Sequence, residues 1–348
     1  MLKTRLSVLL TSALAALGIA YSAASHACTR AVYLGDNDLV LTARSMDWKS
    51  DLKSNLWVFP RGLERNGQTA QNPLRWTSKY GSVITAAHDL VTTDGLNEKG
   101  LSANLLWLAG SVYPQWDGGK PGVSVATWTQ YVLDNFATVQ EVVEAMKAEQ
   151  FTIVTGLMPG EDKPVTVHLS VSDATGNSAI FEYVEGKLAI YHDRAYTVMT
   201  NEPTYDRQLA LDAYWKGIGG SVMLPGTNRP ADRFARASFY IDALPKSADL
   251  RTSLAGVLGV IRNASVPLGI TFPDQPNVSS TLWRTVADHK NRVYYFESAL
   301  TPNTISTDLK KLNLSQGAPT RKLELTQQQV YAGEVNDQFQ DAKPFKLR

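Results

Sequence analysis

The stretch AASHACTRAVYLG, Ala23 to Gly35, contains Cys28, the single cysteine of a 348-residue chain. The thiol follows directly on the small-x-small triplet Ser25-His26-Ala27. Upstream, Leu6 to Ala20 is an almost uncharged apolar run, preceded by Lys3 and Arg5 and followed by small residues. A positive start, a short apolar run and a small-residue site make a secretory signal peptide, and the run is too short to span a bilayer. Cleavage after Ala27 is expected to remove residues 1–27 and leave Cys28 at the head of one domain, 28–348. A lipoprotein signal also puts a cysteine just after its cut. Its Leu-x-small-Cys pattern is missing here, because Ser25 and His26 hold those positions. The expected location is the periplasm or the medium.

The mature chain of 321 residues would carry 32 basic and 33 acidic side chains, a net charge of −1. That length can build a large core. Near-neutral charge speaks against a nucleic-acid partner or an electrostatic membrane anchor. No second apolar stretch is long enough to span a membrane, and a lone cysteine closes no intramolecular disulfide.

Downstream of Cys28 the pattern is strand-rich. Cys28 to Tyr33 and Leu39 to Arg44 flank Gly35-Asp-Asn-Asp38, a hairpin with turn chemistry at its tip. Asn55 to Phe59, Ser82 to Ala87 and Leu101 to Leu108 read as further strands, with a turn opened by Asp94-Gly95 and closed by Gly100. Ser124 to Phe136 and Val139 to Ala148 repeat apolar residues at spacings of three and four, which predicts helices. Strands return at 165–173, 178–184, 187–191 and 196–200. Helices follow at 206–215, 231–244 and 248–262, then a hairpin of 283–287 and 293–298 around Asp288-His-Lys-Asn291. Alternating blocks of sheet and helix with many hairpins point to an α+β layered domain.

An N-terminal cysteine has its thiol and a free α-amine on one residue. Reference pKa values of about 7.7–8.0 for the amine and about 8.5 for the thiol let the amine serve as the base. No histidine relay is then needed. His88, His168, His192 and His289 show neither metal spacing nor a triad pattern. The bland alternative is a cysteine that is simply a small buried hydrophobe in a periplasmic binding protein.

Five segments lie in the order seen in the choloylglycine hydrolase family. They are Cys28-Thr-Arg, Arg44-Ser-Met-Asp47-Trp, Asp94-Gly-Leu-Asn-Glu-Lys-Gly-Leu101, Thr200-Asn-Glu-Pro-Thr-Tyr-Asp206 and Asp232-Arg-Phe-Ala-Arg236. Each is weak alone; together, starting at a processed cysteine, they resemble that family over nearly the whole mature chain. The family contains penicillin V acylases and conjugated bile salt hydrolases. The resemblance implies a four-layer αββα N-terminal nucleophile hydrolase sandwich and hydrolysis of linear amides without cofactor or metal. It implies that Cys28 attacks the amide carbonyl while its α-amine shuttles the proton. Asp47 would orient and hydrogen-bond that amine, and Arg44 would favour thiolate over thiol. Asn201 would aim its side-chain amide at the oxyanion, and Arg233 would complete the polar network. Many bile salt hydrolases have Asn where this chain has Trp107, whose backbone N–H would remain an oxyanion donor. Trp48 and Trp107, both facing the nucleophile, would bound a narrow slot for the acyl group. The expected substrate is a small acyl amide of the penicillin V type, with N-acyl homoserine lactones as a natural alternative and bile salts as the second enzymatic reading. Family members are often homotetramers, which is the expected assembly.

Overall fold

Alternating side chains and a polar tip fold residues 29–48 into the expected hairpin. Strand β1 (Thr29–Leu34) pairs antiparallel with β2 (Val40–Trp48), from Thr29 opposite Ser45 to Leu34 opposite Val40. Asn37 and Asp38 turn the chain at positive φ, where short polar side chains are tolerated. The structure is a computed structural model that describes residues 28–157, 162–270, 279–301, 303–327 and 329–346. The expected signal peptide lies outside them.

The hairpin belongs to a seven-stranded sheet. Its order is Val198–Met199, β1, β2, Ser280–Asp288, Val293–Ser298, Thr304–Asp308 and Gly333–Glu334. A nine-stranded sheet faces it, and its central strands are Val167–Ser172, Ser102–Trp107, Val91–Asn97, Ser82–Ala87 and Asn55–Phe59. The pleat of this second sheet explains the layering. Leu56, Val58, Val83 and Leu106 point to a core shared with Leu41, Met46, Phe234 and Ile261. Their chain neighbours Trp57, Phe59, Ile84 and Leu105 point the other way, to Trp128, Val132, Val142 and Met146. Period-two alternation with both faces apolar demands a partner layer on each side.

Five helices supply the outer layers: α1 (Val125–Asn135), α2 (Val139–Lys147), α3 (Tyr205–Ile218), α4 (Pro230–Ala243) and α5 (Leu250–Asn263). Helices α1 and α2 cover the nine-stranded sheet; α4 and α5 cover the other, and α3 packs beside α4. The N-caps are legible in sequence. Ser124, Thr138 and Asp249 each accept from a backbone N–H in the first turn, and Pro230 opens α4. The fold is the expected αββα sandwich.

Two expectations fail locally. Asp94-Gly95 is not a turn but the middle of a strand, Val91–Asn97. A Cβ at Gly95 would stand 2.7 Å from both Ile84 Cγ2 and Leu133 Cδ1, so the glycine admits α1 against the sheet. The turn comes later, at Glu98 to Gly100, where Asn97 Oδ1 accepts from the N–H groups of Lys99 and Leu101. The expected strand 196–200 shrinks to Val198–Met199, because Thr200 and Asn201 leave the ladder for the site described next.

Candidate active site

Cys28 directly precedes β1 and is 2 % exposed. Its backbone is held from two sides. The Cys28 N–H donates to Asn201 Oδ1 at 2.7 Å, and Arg233 Nη1 donates to the Cys28 carbonyl at 2.6 Å. The same guanidinium reaches Thr29 Oγ1 at 2.6 Å and Asn201 Oδ1 at 2.8 Å. Arg233 is fully buried on the first turns of α4, so a helix from one outer layer clamps the first strand of the sheet beneath it. The Cys28 sulfur lies 3.8 Å from the Asp47 carbonyl and 4.0 Å from Met46 Sδ.

Register across the hairpin brings β2 into the site. Arg44, Met46 and Asp47 lie on the strand that returns beside residue 28. Arg44 is buried mid-strand. Its Nη2 donates to the Leu105 carbonyl at 2.8 Å, its Nη1 lies 3.9 Å from Asp94 Oδ2, and its guanidinium sits 4.6 Å over the Trp283 ring. Asp94 is held in turn by Asn104 at 2.6 Å, by Tyr294 and by Thr285 at 3.2 Å. Arg44 pulls the Cys28 thiol toward ionisation, yet burial is the larger effect and raises it overall. Arg44 thus acts in the expected direction, favouring the thiolate, and is outweighed by burial. In the full-length chain burial favours the protonated thiol.

Asp47 accepts from Thr281 Oγ1 on the adjacent strand, with Ser45 Oγ at 3.5 Å from its other oxygen. Burial raises its pKa to about 6 against the pull of Arg233, the Thr281 bond and Arg44. Asp47 was expected to bond the nitrogen of residue 28 and Asn201 to bond the oxyanion. In the full-length chain that nitrogen is a peptide N with one hydrogen, and it goes to Asn201 Oδ1. Asn201 Nδ2 donates to the Trp107 carbonyl at 2.7 Å, which leaves its second hydrogen for another acceptor.

Trp48 and Trp107 meet edge to face with centroids 5.5 Å apart. No ring fits between indoles at that distance, so they form one aromatic wall and not the two walls of a slot. Trp48 also borders a cavity of about 750 Å³ whose wall includes Leu282, Trp283 and Tyr331; Trp107 does not line it. The other four polar residues singled out from sequence thus converge around Cys28. Ser45, Met46, Asp94 and Thr281 were missed. The first two lie inside the quoted Arg44–Asp47 motif, Asp94 opens another quoted segment but was read with Gly95 as a turn, and Thr281 carries no local signal.

Comparisons with known proteins agree with this geometry. Residues 28–330 match the family described as linear amide C–N hydrolases, choloylglycine hydrolase family. A penicillin V acylase of Pectobacterium atrosepticum is 51% identical, with 94% of this chain and 93% of the relative covered. A solved structure of penicillin V acylase from Agrobacterium tumefaciens is 57% identical, superposes with a TM-score of 0.86, and covers 92% of this chain and 99% of that one. A bile salt hydrolase/transferase of Clostridium perfringens is 28% identical over 82% of this chain and 94% of the relative.

Proposed function

The chain belongs to the choloylglycine hydrolase family of linear amide C–N hydrolases, and from that premise we propose a penicillin V acylase-like enzyme that works from a freed N-terminal Cys28. The observation that carries the reading is the double tether of residue 28. Asn201 holds its nitrogen and Arg233 its carbonyl, while its sulfur stays buried beside β2. Signal cleavage after Ala27 turns a peptide nitrogen, useless as a base, into an amine with a lone pair and added hydrogens. Asp47, charged above about pH 6, is the acceptor that those hydrogens can turn to.

The chemistry then balances. The amine takes the thiol proton as the sulfur adds to the amide carbonyl carbon. The second hydrogen of Asn201 Nδ2 meets the oxyanion, a donor whose loss costs about 2.7–4 kcal/mol in comparable sites. Collapse breaks the C–N bond, and the ammonium gives its proton to the leaving nitrogen. Water then attacks the thioester, passing one proton to the amine, and the sulfur recovers a proton from it as the carboxylic acid leaves. Arg44 supports the floor of the site, and Arg233 holds Cys28 and Asn201 in register. Trp48 and Trp107 offer the acyl group one indole wall, where each aromatic contact contributes about 0.5–1.5 kcal/mol beyond burial. Phenoxyacetyl amides suit such a wall, and linear acyl chains of homoserine lactones present the same bond. Export to the periplasm and a homotetramer complete the proposal.

Protein recovered from the periplasm should have the intact mass of a chain starting at Cys28 and elute as a tetramer. Its kcat/KM for penicillin V or a long-chain acyl homoserine lactone should exceed that for glycocholate at least tenfold, about 1.4 kcal/mol. Equal or faster glycocholate hydrolysis would move the chain to the bile salt branch. Full activity from a chain that retains Ala27 would remove the amine from the mechanism.

A further inference from the structure

His168 has no part in that scheme, yet it is 1 % exposed and both of its ring nitrogens are engaged. It lies on the strand Val167–Ser172, one residue from Val167, which pairs with Trp107. Its Nδ1 is 2.8 Å from Glu182 Oε1, and its Nε2 is 2.9 Å from the Thr200 carbonyl. The other oxygen of Glu182, itself fully buried, accepts from the N–H of Tyr205 at 2.9 Å. Tyr205 is the first residue of α3. One imidazole and one carboxylate therefore tie both ends of the connection 200–205, and Asn201 rides on that connection. Gln208 closes it from below, with its Nε2 donating to the Glu202 carbonyl at 2.9 Å and to Thr200 Oγ1 at 3.1 Å.

A carbonyl only accepts, so Nε2 of His168 must carry a hydrogen, and a further proton lies between Nδ1 and Glu182. We propose that His168 and Glu182 are positioning residues for Asn201: they fix the Thr200–Asn201 peptide, and with it the direction of the Asn201 amide, without touching substrate. The inference rests on the reading of Asn201 as oxyanion donor. Asn201 makes its own contacts to Cys28, Arg233 and Trp107, but the backbone from which the side chain hangs is anchored through Thr200. A preorganised donor that drifts loses transition-state stabilisation before it loses substrate binding.

The role requires hydrogen-bond connectivity and not charge, which makes it separable from simple packing. In E182Q the amide oxygen can accept from Tyr205 while its NH2 donates to Nδ1, leaving a neutral His168 still bonded to Thr200. E182Q should therefore keep at least a third of the wild-type kcat on an amide substrate that the wild-type enzyme turns over. E182L and H168L should lower kcat at least tenfold with KM within threefold, while iodoacetamide labels Cys28 within threefold of the wild-type rate. The double variant H168L/E182L replaces both partners by apolar groups, an exchange that the fold tolerates better than an orphaned charge. It should show the same kcat loss. Wild-type kcat in the double variant overturns the proposal, as does an E182Q defect as deep as that of E182L. Equal losses in kcat, KM and labelling would reduce the pair to ordinary core. Absence of amide hydrolysis in the wild-type enzyme would instead count against the parent reading of function.

Discussion

Asp47 shows how one side chain trades stability against reactivity. Its folded pKa of about 6 lies above the unfolded value of about 3.9, because burial outweighs Arg233, Thr281 and Arg44. The folded state then binds a proton that the unfolded chain has already released, and stability rises as pH falls from about 6 to 4. At neutral pH the buried charge costs on the order of 3 kcal/mol relative to an exposed aspartate. Asp47→Asn should therefore unfold at a higher temperature than the parent at pH 7.5 and at nearly the same temperature at pH 4. Its kcat should fall more than its KM rises, since the group is proposed to hold the amine and not the substrate. In the parent, kcat/KM should decline as pH falls through about 6. A variant less stable than the parent at pH 7.5 would contradict the assignment of burial as the dominant effect.

At the scale of elements, the site is made where a hairpin, a neighbouring strand and a helix meet. Register on β1 and β2 sets Asp47 and Arg44 beside Cys28, the strand Ser280–Asp288 brings Thr281, and α4 delivers Arg233. Behind them, the strand Val91–Asn97 holds Asp94 beside Arg44, and the next residue, Gly95, lets α1 approach the sheet. Gly95→Ala would put a methyl 2.7 Å from two side chains and 2.9 Å from the Val83 carbonyl, and backbone does not give way cheaply. Overpacking of this kind costs about 1–3 kcal/mol. Thermal denaturation should show that loss, and an unchanged melting temperature would mean that α1 does not need the glycine. The sequence carried this glycine in plain view, but Asp-Gly has two physical uses, as a turn and as a place for close packing. Only the neighbour decides between them.

Across the whole molecule, the two sheets are joined by polar contacts as well as by their apolar core. His289, in the turn of the late hairpin, meets the Gly100 carbonyl at 2.7 Å and Thr42 Oγ1 at 2.7 Å, and Thr42 meets Ser172 of the opposite sheet at 2.7 Å. Burial lowers the imidazole to about 4. The unfolded chain therefore takes up the proton first, and stability is lost as pH falls from about 6.5 toward 4, opposite in sign to Asp47. His289→Leu leaves the buried Gly100 carbonyl without its donor and the Thr42 hydroxyl without an acceptor on the ring, and should cost about 2 kcal/mol at pH 7, with kcat within twofold of the parent. It should also flatten the loss of stability between pH 6.5 and 4. A variant that melts like the parent and keeps its acid sensitivity would remove His289 from the joint between the sheets.

The sequence by itself determined the secondary structure blocks and the layered class, and through the family resemblance it pointed to five polar candidate residues, because periodicity and short motifs are local properties of the chain. Cys28, Arg44 and Asp47 were legible for a further reason: a tight hairpin makes sequence neighbours into spatial ones. What only the tertiary structure decided depends on distances between segments far apart in sequence. The indoles of Trp48 and Trp107 touch where a slot was expected, Thr281 from a distant strand bonds Asp47, and burial overrides Arg44 at the thiol. His168 looked idle in sequence because its partners, Glu182 and the Thr200 carbonyl, belong to other strands and loops. Desolvation and long-range contact have no local signature, since they exist only once the layers have closed.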